Sequence, residues 1–345
     1  MRKLNVAVVG LGWVAEAHIA AFNATDGAQV TTVCSSRNPS PAEVEARYGV
    51  PLKVYSDYKD VLADPNVDII SLCSANPLHP SQALAAVAAG KHVYIEKPIA
   101  LNYEDAKKMH QAIAAGKSKV CVGFELRFSK HFTLIMSVLD KGLLGELHYG
   151  EADYYHGIGD WYGQFRWSKK VDGGGSALLS AGCHAIDALL KMMGEPVVEV
   201  TSYSTKSQAK CFAEYEFDPC SVTILKFANG KLGKVTSCID CLQPYYFHIH
   251  LVGSKGSLLD NKIYTTELPG LLKEKWTVLE TAPVDSGEVL DHPYLPQCQA
   301  FVDSIIHNTP MPLTGFGEAF ETHRVIYAAD QSARLGRPVK MSEFA

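Results

Sequence analysis

The segment LLSAGCHAID, residues 178–187, holds Ser180, Cys183, His184 and Asp187 within eight positions. Each is a residue type that can bind a metal, move a proton or hydrogen-bond a substrate. On a helix, positions i, i+3 and i+4 share a face, so Ser180, His184 and Asp187 line one side. Cys183 is rotated about 100° from His184 and belongs to the packed side. Adjacent Cys183 and His184 cannot converge on one ion, and no HxxxH or HExxH spacing stands nearby, so no metal is expected. The plain alternative is a helix whose histidine is simply a satisfied core residue.

A second constellation opens the chain. GLGWVA places Gly10, Gly12 and Ala15 in a G-x-G-x-x-G/A pattern directly after a β-rich run. The first glycine makes a tight turn, the second admits a pyrophosphate, and the small third residue lets helix pack on strand. Trp13 and Val14 lie inside the same turn. Free N–H groups at the start of the following helix favour the anion. An NAD site usually ends its second strand on an acidic residue. Here that place holds Ser35, followed by Ser36 and Arg37. A hydroxyl and a guanidinium suit a 2′-phosphate, so NADP is the expected cofactor, with NAD the alternative.

Around residues 160–170 an aromatic–basic mixture, Trp161, Tyr162, Arg166, Trp167 and Lys169, has the composition of a surface that stacks on sugar rings. Packing within a loop would use the same residues. The pair Cys238 and Cys241 has CxxC spacing, but KLGKVTSCIDCLQ alternates like a strand, and i and i+3 would then face opposite ways.

The elements that must hold these residues alternate. Strands are expected at 4–10, 28–36, 67–75, 91–97 and 119–125, with helical stretches between them. This predicts a doubly wound parallel sheet, covered on both faces. After about residue 125 the pattern becomes strand-rich, with Asn229-Gly230 as a hairpin turn, and predicts an α+β domain with a large, mostly antiparallel open sheet. The expected domains are therefore 1–122 for nucleotide and 123–345 for substrate and oligomerisation. With 345 residues, 47% hydrophobic and a net charge of −5, the chain has material for two cores and no basic run. Nucleic acid and membrane are not expected partners. The nine cysteines, an odd count, read as reduced thiols of a cytoplasmic protein.

Several segments carry a resemblance. GLGWVAEAH, SANPLHPSQALAAVAAGKHVYIEKPIA, GFELRF, GGGSALLSAGCHAIDALLKMMG and LVGSKGSLLDN span nearly the whole chain. With them the chain resembles the family of glucose–fructose oxidoreductase, inositol dehydrogenase and rhizopine-catabolism proteins (Gfo/Idh/MocA). The resemblance implies a nicotinamide-dependent enzyme acting on sugars, cyclitols or polyols, with a second domain that binds substrate. It implies that Lys97, of the EKP motif, lies beside the nicotinamide and the substrate hydroxyl. Ser74, Ala75, Asn76 and His79 would line the nicotinamide side, Glu96 would contact its ribose, and Arg127 would reach substrate. The family pattern D-x-x-x-H-x-x-D places His184 and Asp187 on its histidine and second acid, while Ser180 replaces the first acid.

In such an enzyme His184 takes the hydroxyl proton as hydride leaves carbon. Lys97 stabilises developing alkoxide charge. Ser180, Asp187, Arg127, Tyr162, Arg166 and Trp167 complete the expected substrate set. Two rivals keep the cofactor: a lyase that oxidises its sugar only transiently, and a non-catalytic NADP-sensing regulator. A homo-oligomer, dimer or tetramer, is expected, because an open sheet needs covering.

Overall fold

The computed structural model describes residues 2–158, 165–281 and 291–344. The chain forms two compact units, which among the described residues hold 2–128 with 291–320, and 129–281 with 321–344.

The first unit alternates β1 (Leu4–Val9), α1 (Ala15–Ala24), β2 (Ala28–Cys34), α2 (Pro41–Tyr48), β3 (Lys53–Tyr55), α3 (Tyr58–Ala63), β4 (Ile69–Leu72), α4 (His79–Ala88), β5 (His92–Ile95), α5 (Tyr103–Ala115) and β6 (Val120–Val122). The strands form one parallel sheet in the order β3-β2-β1-β4-β5-β6. This is the expected doubly wound sheet. The central strands are mostly apolar, as parallel strands covered on both faces must be: Val6, Ala7, Val8, Ile69, Ile70, Leu72, Val93 and Ile95 are fully buried. β3, with three residues, is too short to show a period and was not among the expected strands.

In the second unit α6 (Lys130–Asp140) and β7 (Leu147–Tyr155) precede α7 (Cys183–Met193). β8 (Val197–Thr205), β9 (Cys220–Phe227), β10 (Leu232–Cys238), β11 (Tyr246–Gly253), β12 (Gly256–Leu259), β13 (Lys262–Thr265) and β14 (Thr277–Val278) follow. A last short strand, β15 (Val339–Lys340), completes a nine-stranded sheet, β14-β13-β12-β11-β7-β10-β9-β8-β15. Its pairs are antiparallel except β7–β10, which is parallel. The Asn229-Gly230 hairpin joins β9 to β10, with Gly230 at φ 85° as that turn requires. α7 packs on β7 and β10, where Gly150 and Gly233 leave room for Leu189.

The division is not the expected pair of contiguous segments. α8 (Tyr294–Ile306) returns to the first unit, where Cys298, Phe301 and Val302 join Phe22 and Tyr94 in the core. Full burial of such side chains contributes roughly 1.5–3 kcal/mol each. Gln297 fixes the return: its side chain donates to Val122 O at 2.8 Å and accepts from the Tyr94 hydroxyl. The apolar period of this helix shows that it is buried, not which sheet it covers. The last long helix, α9 (Phe316–Leu335), belongs to the second unit from Glu321 onward.

Candidate functional site

In the first unit, Gly10 follows β1 at φ 90°. A Cβ there would stand 2.7 Å from Cys73 C, Cys73 O and Ser74 Cα, so the turn excludes any side chain. Gly12 differs: a Cβ would make only ordinary contact, 3.7 Å from Cys73 O. Packing gives no reason for a bare residue at Gly12, whereas a ligand approaching the backbone does. α1 then begins at Ala15, and its N-cap, Val14, makes no side-chain cap bond, leaving N–H groups of the first turn for an anion. Trp13 is exposed. These features fit a dinucleotide pyrophosphate.

Gly10→Ala is expected to cost ~2–4 kcal/mol of stability, from left-handed strain and from overpacking against backbone. Urea unfolding checks it, and a cost below ~0.5 kcal/mol would remove the steric role of this glycine.

At the end of β2, Ser35 is buried and its hydroxyl accepts from Arg37 N at 3.3 Å. Ser36 and Arg37 are exposed. After β4, Ser74 and Ala75 are half-buried, and Asn76 starts a short 3-10 turn and is buried. His79 is wholly buried, its Nδ1 2.7 Å from Pro98 O and its Nε2 3.0 Å from Ser74 O. It ties the 74–79 segment to the cis Lys97–Pro98 peptide. Burial holds its pKa below the usual value, against the pull of those carbonyls.

Beside Lys97, itself half-buried, lies a network that sequence reasoning did not predict. Glu96 accepts from His18 Nε2 at 2.9 Å, and His18 Nδ1 meets Ser71 Oγ at 2.8 Å. Burial opposes charge on His18, but the Cys73 sulfur and the Glu96 carboxylate outweigh it and raise its pKa to about 10. Burial likewise opposes the Glu96 anion, and the His18 hydrogen bond, with Lys97, wins and lowers its pKa. Gly123 leaves the room, since a Cβ there would lie 2.8 Å from Glu96 Oε1. Glu125 is raised to about 8, by burial and then by the Glu96 charge, and stands 3.8 Å from His292 Nε2. Arg127 is buried, and its guanidinium donates to Leu313 O and the Glu318 carboxylate. That arrangement ties the end of the sheet to residues 313–318.

In the second unit, residues Leu178–Gly182 form a π-helical turn, and the α-helix begins only at Cys183. The uniform α spacing expected for Ser180 and His184 is therefore replaced by a wider turn, a feature frequent at functional sites. Gly182 explains the tight approach, because a Cβ there would lie 2.5 Å from Ser237 Cβ on β10. Ser180 is buried and donates its hydroxyl to Gly174 O at 2.8 Å, so toward a ligand its oxygen can only accept. His184 is 5% exposed, and its ring stacks on Tyr154 at 6.1 Å and 18°. Asp187 is buried and accepts from Thr322 Oγ1 at 2.9 Å. Cys183 is fully buried, as expected of a packing residue. Tyr154 and Thr322 are partners that spacing alone could not reveal.

Of the aromatic–basic segment, Trp161 and Tyr162 lie outside the described residues. Arg166 is exposed and Trp167 half-buried, its ring 6.2 Å from Phe165. Cys238 ends β10 and Cys241 lies beyond the strand, correcting the expectation that both alternate within it. Among the described residues one trio of ligand-type side chains lies close together, Glu151, Asp153 and His248. The Lys234 ammonium already bridges its carboxylates at 2.6 and 2.7 Å.

Two family profiles match the chain. An oxidoreductase family with an NAD-binding Rossmann fold (GFO_IDH_MocA) matches residues 4–124, and the GFO/IDH/MocA C-terminal domain matches residues 132–259. Myo-inositol 2-dehydrogenase of Thermotoga maritima is 24% identical over 99% of both chains. D-glucoside 3-dehydrogenase of Escherichia coli is 25% identical over 98% of this chain and 97% of its own. The fold matches that of scyllo-inositol dehydrogenase from Lactobacillus casei, solved with NAD(H) and scyllo-inositol. That match has a TM-score of 0.81 at 20% identity and covers 99% of this chain and 100% of the other.

Proposed function

The chain belongs to the Gfo/Idh/MocA oxidoreductase family, and on that premise we propose that it interconverts a secondary alcohol and a ketone on a sugar, cyclitol or related polyol. The observation that carries this reading is His184. It is a nearly buried imidazole stacked on Tyr154, a third of a turn from a packing cysteine and three residues from an acid already engaged by Thr322.

A bound nicotinamide would supply the hydride chemistry at the substrate carbon. The Gly10–Ala15 turn and the first N–H groups of α1 would hold its pyrophosphate. Glu96, fixed by His18, presents Lys97, whose ammonium hydrogen-bonds the alcohol oxygen and stabilises it as its proton leaves. His184 Nδ1 or Nε2 takes that proton and returns it in the reverse direction. Asp187 acts through Thr322 and the helix, and Ser180 accepts from a substrate hydroxyl.

A cofactor-reduction screen over sugars, cyclitols and sugar acids tests the reading at the reduced-nicotinamide absorbance band. Reduction by a polyol is expected. Product without net absorbance change would replace it with the transient-oxidation lyase, and tight cofactor binding without turnover would replace it with the regulator.

The cofactor itself is proposed to be NADP. Support comes from Ser35 in place of an acid and from the exposed Arg37 one short turn away. Arg37→Ala is expected to raise the KM for NADP by ~10–100-fold, the size of a lost charge-assisted contact, with little effect on NAD. A wild-type preference for NAD would overturn the assignment. The same reading makes the protein a cytoplasmic homo-oligomer, dimer or tetramer. Its nine cysteines are all free, and no described helix is long and apolar enough to cross a membrane. A monomer mass by light scattering would reject the oligomer.

A further inference from the structure

Cys220 opens β9 and Cys238 closes β10, and the two stand directly opposite each other in the antiparallel register. Such opposed pairs alternate between hydrogen-bonded and non-hydrogen-bonded. Ile239 N donates to Pro219 O at 3.0 Å, which makes 219/239 the hydrogen-bonded kind. Cys220 and Cys238 are therefore a non-hydrogen-bonded pair. Consistently, the Cys238 carbonyl points the other way and accepts from His156 N at 2.9 Å. Non-hydrogen-bonded pairs bring Cα atoms to about 4.5 Å and side chains closest together, inside the span of about 4.4–6.8 Å that a disulfide bridges.

Both side chains lie on the face of the sheet away from α7, since the alternate residue Ser237 meets Gly182. Both are part-exposed, so a small oxidant can reach them. Buried cysteines such as Cys73, Cys121, Cys183 and Cys298 offer no such access. We propose that Cys220 and Cys238 form a thiol–disulfide redox site, closed by a low-molecular-weight disulfide and reopened by a thiol.

The chemistry is two exchange steps. The Cys220 thiolate, its proton given to solvent, attacks one sulfur of the small disulfide, forming a mixed disulfide and releasing one small thiolate. That thiolate takes the Cys238 proton, and the Cys238 sulfur then attacks the Cys220 sulfur, forming the protein disulfide and releasing the second small thiolate, which is protonated by solvent. Two protein thiols are oxidised and one small disulfide is reduced to two thiols, so no other oxidant is needed. The order follows from the surroundings. The hydrogen bond from Cys238 lowers the Cys220 pKa against burial, whereas that same bond, burial and Asp240 raise Cys238. Asp240 Oδ1 accepts from Cys238 Sγ at 3.2 Å. Cys241 is the competing thiol: its sulfur is 3.7 Å from Cys238 O, in the bend after the strand rather than across it.

The bond would act where β7 leaves the sheet. His156 N and Ile158 N donate to Cys238 O and Ile239 O, so the end of β10 anchors the chain entering the aromatic–basic segment.

The test uses the intact wild-type chain, equilibrated with oxidised and reduced glutathione, alkylated, and mapped by tryptic mass spectrometry. Lys226, Lys231 and Lys234 separate the two cysteines into different peptides. A cross-linked Cys220–Cys238 peptide pair that disappears with dithiothreitol is expected. C241S is expected to retain the link, and C220S to leave Cys238 free of any protein disulfide. Continued alkylation of both cysteines under fully oxidised glutathione, or a Cys238–Cys241 link in the wild type, would overturn the proposal.

Discussion

Replacing His184 with alanine is expected to lower turnover of a polyol substrate by ~10²–10⁴, the contribution of a positioned general base. Cofactor affinity should stay close to wild type, because the proposed cofactor contacts are the pyrophosphate turn and the Ser35–Arg37 segment rather than His184. Alanine also leaves a gap beside Tyr154, so part of any loss could come from packing. His184→Asn separates the two. It keeps a polar group of similar bulk but has no basic nitrogen, so it should remain folded and still lose turnover. A measured kcat within threefold of wild type for His184→Asn would reject the base. A defect confined to KM would make the residue a substrate contact only.

The second large effect is on stability. His18→Leu leaves the Glu96 carboxylate buried without its imidazolium partner, and breaking such a pair from one side costs ~3–5 kcal/mol. The side chains of His18 and Glu96 are only 0% and 7% exposed, so water cannot make good the loss. The pH dependence follows from the directions of the two shifts. His18 rises from 6.5 to about 10 on folding, so its contribution is complete below pH 6.5 and is lost as pH climbs toward about 10. Glu96 falls below 4.5 on folding, so its contribution is present above pH 4.5 and is lost as pH drops through its folded value. The gap between wild type and variant should therefore be widest between pH 4.5 and 6.5 and should narrow toward pH 10. Urea unfolding across that range checks it, and a gap independent of pH would show that His18 packs as a neutral ring.

Both predictions rest on residues whose importance reads differently from sequence and from structure. The glycine turn was legible because its geometry is local: Gly10, Gly12 and Ala15 lie within one turn of chain. The Asn229-Gly230 hairpin was legible for the same reason. His18 lies within GLGWVAEAH, but its role is not legible there, since its partner Glu96 is 78 positions away and a helix pattern shows burial, not company. The motifs read Arg127 and His79 as ligand-facing, and they do not show the partners the fold gives them, Leu313 O and Glu318 for Arg127 and Pro98 O and Ser74 O for His79. The π-turn at Leu178–Gly182 was hidden because apolar residues at those positions fit an α-helix equally well. What betrays it is Gly182, and only once Ser237 is seen against it.

The return of Tyr294–Ile306 to the first core sets an order of events during synthesis. The nucleotide sheet is complete in strands at Val122, but Cys298, Phe301 and Val302 have not yet left the ribosome. At ~5–20 residues per second the chain between them takes on the order of 10–30 s to emerge. For that interval the surface formed by Tyr94 on β5 and Phe22 on α1 waits uncovered, and a nascent chain in that state is a natural client for a chaperone. A fragment ending at residue 122 would carry the same bare face permanently, whereas one that rejoins residues 291–320 through a short linker would carry its own cover.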